Sequence, residues 1–263
     1  MPGTMLHFDT YPATATPDLP PLMIVHGLFG SARNWGAIAR RLTDRRRVVA
    51  VDMRNHGGSF RAADHGYPAM AADLAQVIDV QGEAMDVMGH SMGGKSAMQL
   101  ALTRPDLVER LIVADIAPVA YHHDQTHHVA AMQALDLTGL TTRAEADRRL
   151  ARTTPDPALR AFFLQSLDLK SETGPRWRLN LATLAAEMPK IVGWPGTPGR
   201  FDHPTLFLSG ADSTYVLPEY RPAITAQFPT ARFARIPGAS HWLHAEKPRE
   251  FCETVAVFLS VGR

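Results

Sequence analysis

The chain has 263 residues with 45% hydrophobic and 20% charged residues, an ordinary soluble composition, long enough for one large α/β domain or two smaller ones. Its formal net charge of +1 gives no electrostatic footprint for nucleic acid or an anionic membrane, so neither is expected as a partner. A single cysteine, Cys252, excludes an intramolecular disulfide and fits a reducing compartment, and no apolar stretch approaches the length of a bilayer span.

Residues 1–9 lack a basic start followed by an apolar run, so no signal peptide is expected and the default location is cytoplasmic. Residues 5–10 read as a short strand, and the proline-rich stretch 11–21 as a connection. Leu22-Met23-Ile24-Val25 is an apolar run of the kind found in buried parallel strands, and it exits into His26-Gly27-Leu28-Phe29-Gly30-Ser31. Residues 34–42 carry apolar positions at helical spacing, with Asn34 as the expected N-cap. The run Arg45-Arg46-Arg47 reads as a solvated helix end. Val48-Val49-Ala50-Val51 is a second buried strand, followed by Asp52-Met53-Arg54-Asn55-His56-Gly57 and a helix over 68–80 with proline in its first turn.

Residues 85–88 form the next apolar run and lead directly into Gly89-His90-Ser91-Met92-Gly93, with a helical pattern over 94–103. A strand turning sharply into a helix forces its central residue into a strained conformation and leaves room only for small neighbours, here Gly89 and Gly93. Such a turn lifts the Ser91 hydroxyl clear of the sheet and beside a helix N-terminus, where free N–H groups favour developing negative charge. Ser91 is therefore the candidate nucleophile. Another buried strand, Leu111-Ile112-Val113-Ala114, ends at Asp115.

The pattern then changes. Residues 117–200 contain no β-rich run, only helical segments expected over 125–135, 143–153, 157–167 and 179–188. Strands resume at 205–208 and 232–236, with helices over 222–228 and 248–259. Alternating strands and helices argue for a mostly parallel sheet covered on both faces. The division expected is a core of residues 1–116 and 201–263, with residues 117–200 as a helical cap inserted over the strand ends, where open α/β sheets bind ligands.

A serine nucleophile needs a base, an orienting acid and an oxyanion hole. The base candidate is His241, in the small-residue loop Gly238-Ala239-Ser240-His241-Trp242. His26 and His90 flank the two functional turns and are read as orienting backbone rather than titrating. The oxyanion donors expected are the backbone N–H groups of Met92 and Leu28, with Phe29 as an alternative to the latter. Two aspartates compete for the acid, Asp115 and Asp212, each beyond the carboxyl end of a strand; register favours Asp115. Phe29, Tyr121, Trp194, Ser213 and Trp242 are expected to contact substrate, Trp194 foremost, because a small-ester pocket is mostly apolar. His123 and His127 fall four apart on a helix but lack a third ligand, so no metal is expected. Lys95 opposes the dipole of its helix and is expected to pair with a carboxylate or to hold an anionic substrate.

Six ordered motifs extend this reading across nearly the whole chain: Val25-His26-Gly27-Leu28-Phe29-Gly30-Ser31, Val51-Asp52-Met53-Arg54-Asn55-His56-Gly57, Gly89-His90-Ser91-Met92-Gly93-Gly94-Lys95, Asp115-Ile116-Ala117-Pro118, Ile191-Val192-Gly193-Trp194 and His241-Trp242-Leu243-His244-Ala245-Glu246-Lys247-Pro248. With them the chain resembles the α/β-hydrolase superfamily, and within it the small bacterial YbfF-type serine esterases. The resemblance implies a mostly parallel eight-stranded sheet flanked by helices, with the cap after the sixth strand. It implies a serine esterase acting without a cofactor on short-to-medium acyl esters; acyl-CoA thioesters or carbon–carbon bond hydrolysis are the alternatives on the same residues. The partner expected is a small-molecule ester or thioester, and the chain is expected as monomer or dimer. One departure bears on the acid: members of the wider superfamily commonly carry it three residues after the glycine that follows the seventh strand, and that place, counted from Gly210, is Ser213.

Overall fold

The computed structural model describes residues 5–122 and 125–260. Strand β1 (Phe8–Tyr11) is followed by β2 (Leu22–Val25), a 3₁₀ turn (Ala32–Trp35), α1 (Gly36–Arg41), β3 (Val48–Val51), α2 (Tyr67–Gln81), β4 (Met85–His90), α3 (Met92–Thr103) and β5 (Val108–Ala114). An insertion of five helices comes next: α4 (Thr126–Gln133), α5 (Arg143–Leu150), α6 (Pro157–Leu164), α7 (Leu181–Ala186) and α8 (Met188–Val192). It also carries a two-residue hairpin, β6 (Leu167–Asp168) with β7 (Arg176–Trp177), where sequence periodicity showed only helix. The chain closes with β8 (Thr205–Gly210), α9 (Arg221–Gln227), β9 (Ala231–Ile236), α10 (Leu243–Glu246) and α11 (Pro248–Ser260).

The sheet among the described residues has seven strands in the order β1-β3-β2-β4-β5-β8-β9, not eight, and the insertion follows the fifth of them. Only β1 is antiparallel to its neighbour. The count of eight came with the resemblance; the chain itself supplies seven apolar runs. Every residue of β2, β3 and β4 is buried, as a sheet covered on both faces requires. The two faces separate by the period of two: Met23, Val25, Val49 and Val51 join α2 and α3 in one core, and Leu22, Ile24, Val48 and Ala50 join α1 and α11 in the other. The insertion shares the first core through Phe163, Leu184 and Ile191.

Two local expectations are corrected. Ser31, not Asn34, caps the turn before α1: Asn34 accepts a hydrogen bond from the Ser31 backbone at 2.7 Å, which closes a capping box. Arg46 is buried rather than solvated, because its guanidinium pairs with buried Asp86 and donates to the Leu259 carbonyl at 3.1 Å, tying α11 to the sheet.

Candidate active site

The carboxyl ends of β2, β3, β4 and β5 each lead into a residue with left-handed backbone: Phe29 (φ 65°), Asn55 (φ 66°), Ser91 (φ 53°) and Asp115 (φ 53°). These are the four non-glycine residues with positive φ among the described residues, and such conformations persist only where their surroundings over-determine them. At Ser91 the surroundings are glycines. A Cβ on Gly89 would come within 2.2 Å of the Gly93 carbonyl, and one on Gly93 within 2.4 Å of the Val25 and His26 carbonyls, so only bare backbone lets β4 turn into α3 here.

Ser91 Oγ lies 3.1 Å from His241 Nε2, and His241 Nδ1 lies 2.7 Å from Asp115 Oδ2. Asp115 is fully buried, and its carboxylate also accepts hydrogen bonds from the Gly210 backbone at 3.1 Å and from the Ser213 hydroxyl. These partners fix the carboxylate and leave Oδ2 facing the imidazole. With Nδ1–H donating to Asp115, Nε2 is free to accept the serine proton. Asp212 stands outside this set: it is exposed, and its backbone N–H donates to the Ala239 carbonyl. Ser213 is half-buried against Asp115 and does not line the cavity, because the same one-residue register that turns Asp212 outward turns Ser213 onto the Asp115 carboxylate.

Leu28 and Met92 line the cavity together with Ser91. Neither the Met92 N–H, at the start of α3, nor the Leu28 N–H has an acceptor among the described residues, while the Phe29 N–H donates to His56 Nε2 at 3.2 Å. Histidines hold the surrounding loops. His26 Nε2 accepts from the Met53 backbone at 3.0 Å and its other nitrogen donates to the Gly27 carbonyl at 2.7 Å. Burial pushes the His26 imidazole below the usual histidine range and His56 well below it, so both stay neutral and can accept. His90, likewise pushed well down by burial, donates from Nε2 to the His241 carbonyl at 2.8 Å and ties the His241 loop to β4.

The cavity above these groups has a volume of about 960 Å³. Phe29, Tyr121 and Trp242 line it; Trp194 does not, and its ring packs instead against Tyr67, centroids 6.2 Å apart. Phe162 and Phe163 of α6 take the place expected of Trp194: Phe162 meets the Trp242 ring at 5.4 Å and Phe163 meets Phe29 edge-on at 5.4 Å. Their signal was the apolar Ala161-Phe162-Phe163-Leu164 run in a short amphipathic helix. Tyr215, stacked on the His241 ring at 3.9 Å, was also missed, and the loop sequence around it carries no pattern that marks it. Lys95 lines the cavity too, but it holds backbone carbonyls rather than a carboxylate. His123 lies outside the described residues, and no group of three metal-ligating side chains occurs among the described ones.

An elbow serine between two glycines, at the carboxyl edge of a parallel sheet, is matched by the family comparison: residues 20–248 fit the model of the α/β hydrolase fold. The chain belongs to the α/β-hydrolase family. It is 41% identical to the Escherichia coli esterase YbfF over 91% of this chain and 93% of that one. It is also 41% identical to the mouse sn-1-specific diacylglycerol lipase ABHD11, over 92% of this chain and 81% of the relative. Among solved structures, a marine microorganism esterase superposes with a TM-score of 0.90 at 37% identity, covering 97% of this chain and 99% of its own. These relatives are carboxylic ester hydrolases by name, and this family member is a hydrolase of that class. No helix among its described residues is long and apolar enough to cross a membrane.

Proposed function

We propose that the chain is a serine esterase that cleaves short-to-medium acyl carboxylic esters through an acyl-enzyme, with Ser91 as nucleophile, His241 as base and Asp115 as the orienting acid. The observation that carries this reading is the continuous hydrogen-bonded line from Asp115 through His241 to Ser91, beside two unused N–H donors. As Ser91 Oγ attacks the carbonyl carbon, its proton passes to His241 Nε2, and Asp115 stabilises the resulting imidazolium. The carbonyl oxygen gains the negative charge and is held by the Leu28 and Met92 N–H groups. Collapse of this intermediate breaks the bond to the leaving oxygen, which takes the proton from His241. Water then repeats the sequence on the acyl-enzyme and frees the acid and Ser91. The residues present complete this cycle with no cofactor.

The insertion acts as a cap. Its α6 and α8 contribute Phe162, Phe163, Ile191 and Val192 to the cavity lining, which with Phe29 and Tyr121 make its apolar wall. The acyl chain is assigned to that wall. Asn34, Trp35, His244 and Glu246 make a mixed part of the lining, which is assigned to the leaving group. A large, polar-ended leaving group suits it, which supports acyl-CoA thioesters as the second reading. The test is a panel of p-nitrophenyl esters, monoacyl and diacyl glycerols and acyl-CoAs, together with fluorophosphonate labelling. Ester turnover with label on Ser91 is expected; an unlabelled serine and no turnover on the panel would overturn the hydrolase reading.

A further inference from the structure

Lys95 sits one helical turn beyond Ser91, and its backbone N–H donates to the Ser91 carbonyl at 3.1 Å. It is 1% exposed, yet no carboxylate among the described residues pairs with it, and burial pushes its amine down to about 7. Burying an ammonium without an acid costs several kcal/mol, and a methionine would fill the same volume without that cost. The amine donates to two backbone carbonyls, Val192 at 2.9 Å and Gly193 at 2.5 Å, and lies 4.7 Å from the centre of the Tyr121 ring. Beside it the Tyr67 hydroxyl of α2 donates to the Ile191 carbonyl. Three successive carbonyls at the end of α8, which the helix itself leaves without donors, are thus each held by a side chain from α2 or α3, and the Val192 carbonyl also accepts from the Tyr121 backbone N–H at 3.0 Å. The same turn carries Ile191 and Val192, which line the cavity.

We propose that Lys95 is a specificity-determining residue: by holding the Val192 and Gly193 carbonyls it fixes the Ile191–Val192 wall and sets the length of acyl chain that the site admits. The assignment of the acyl chain to this wall rests on the esterase reading; the fixing of the wall does not. A lysine does this where methionine cannot, because only an amine reaches both carbonyls with strong donors. Without the amine the turn keeps only the Tyr67 hydroxyl on the Ile191 carbonyl and the Tyr121 backbone N–H on the Val192 carbonyl, the Gly193 carbonyl loses its donor, and the wall moves outward.

The test compares full-length wild type, Lys95→Met and Lys95→Ala on p-nitrophenyl acetate, butyrate, octanoate and decanoate. The octanoate-to-acetate ratio of kcat/KM is expected to rise by about tenfold or more in both variants, the size of effect that a pocket wall exerts on one or two methylenes. Lys95→Met keeps the side-chain volume and decides the matter if Lys95→Ala does not fold. A ratio within about twofold of wild type in folded Lys95→Met, or an equal loss on every ester, overturns the proposal. Melting-temperature shifts with butyric to decanoic acid read the same preference without turnover. A wild type inert on every ester but with a chain-length shift on mutation would remove the esterase reading and keep the role of Lys95.

Discussion

The sheet's carboxyl edge and the helical insertion place left-handed backbone in opposite ways. At the edge it falls on Phe29, Asn55, Ser91 and Asp115, all buried or nearly so, and on Gly57, where a Cβ would meet the Asp52 carboxylate at 2.2 Å. In the insertion it falls on glycines only, Gly139, Gly174, Gly196 and Gly199; a Cβ would meet nothing within 4 Å at the first three and only the Leu102 carbonyl, at 3.5 Å, at Gly199. In the insertion glycine relieves a turn; at the edge a side chain is kept in spite of the backbone, at a cost of about 1–3 kcal/mol each. The difference separates a region selected for where its side chains point from one selected for connecting helices.

The sharpest break in that contrast is at the elbow. Ser91→Ala is expected to lower hydrolysis of p-nitrophenyl butyrate on the order of 10⁴–10⁶-fold with the circular dichroism spectrum unchanged, since losing the nucleophile removes nearly all triad catalysis. Retention of more than a few per cent of the rate would mean the chemistry lies elsewhere. Asp115→Asn keeps the shape of the second left-handed residue but removes the charge that faces His241 Nδ1 at 2.7 Å. A drop of about 10⁴ in kcat is expected, the size known for the equivalent change in a serine protease triad, against roughly tenfold or less for Asp212→Asn. The reverse ranking would return the acid to Asp212.

Stability tests the same comparison without substrate. Gly89→Ala drives a Cβ to 2.2 Å from the Gly93 carbonyl and should cost more than about 4 kcal/mol, seen as a melting temperature lower by about 10 °C or as insoluble protein. Gly139→Ala meets open space and should cost about 1 kcal/mol, the price of the φ alone. Equal losses at both sites would erase the distinction between edge and insertion.

A smaller effect concerns Lys95, which joins the two regions. Burial lowers its amine from 10.5 to about 7, whereas in the unfolded chain it holds its proton up to about 10.5. Between pH 7 and 10.5 unfolding therefore takes up a proton, and stability rises with pH through that window. Below pH 7 the amine is charged in both states and contributes no slope. The urea stability of wild type relative to Lys95→Met should rise by up to a few kcal/mol from pH 7 to pH 9.5. A flat difference would mean the buried amine keeps its charge.

The sheet and the elbow were legible in the sequence. Four-residue apolar runs, a glycine on each side of a serine and a helical period just beyond are constraints between chain neighbours, and local sterics enforce them wherever the chain goes. Which aspartate lies beside His241 was half legible: the one-residue offset of Asp212 from the usual place could be counted from Gly210, but that Ser213 would turn onto Asp115 needed β5 and β8 to lie side by side in register. Tertiary structure alone decided the lining of the cavity. Trp194 and Phe162 are both apolar, both in the insertion, and carry equal local signals. Which one faces Ser91 depends on how α6 and α8 dock, through Tyr67, Lys95 and Phe29, on helices and loops far away in the chain. The burial of Arg46 against Asp86, 40 residues away, has the same origin. Periodicity and turn chemistry act over a few residues and are written in the sequence. The facing of a side chain across a cavity is settled by packing between segments whose contact no local pattern encodes.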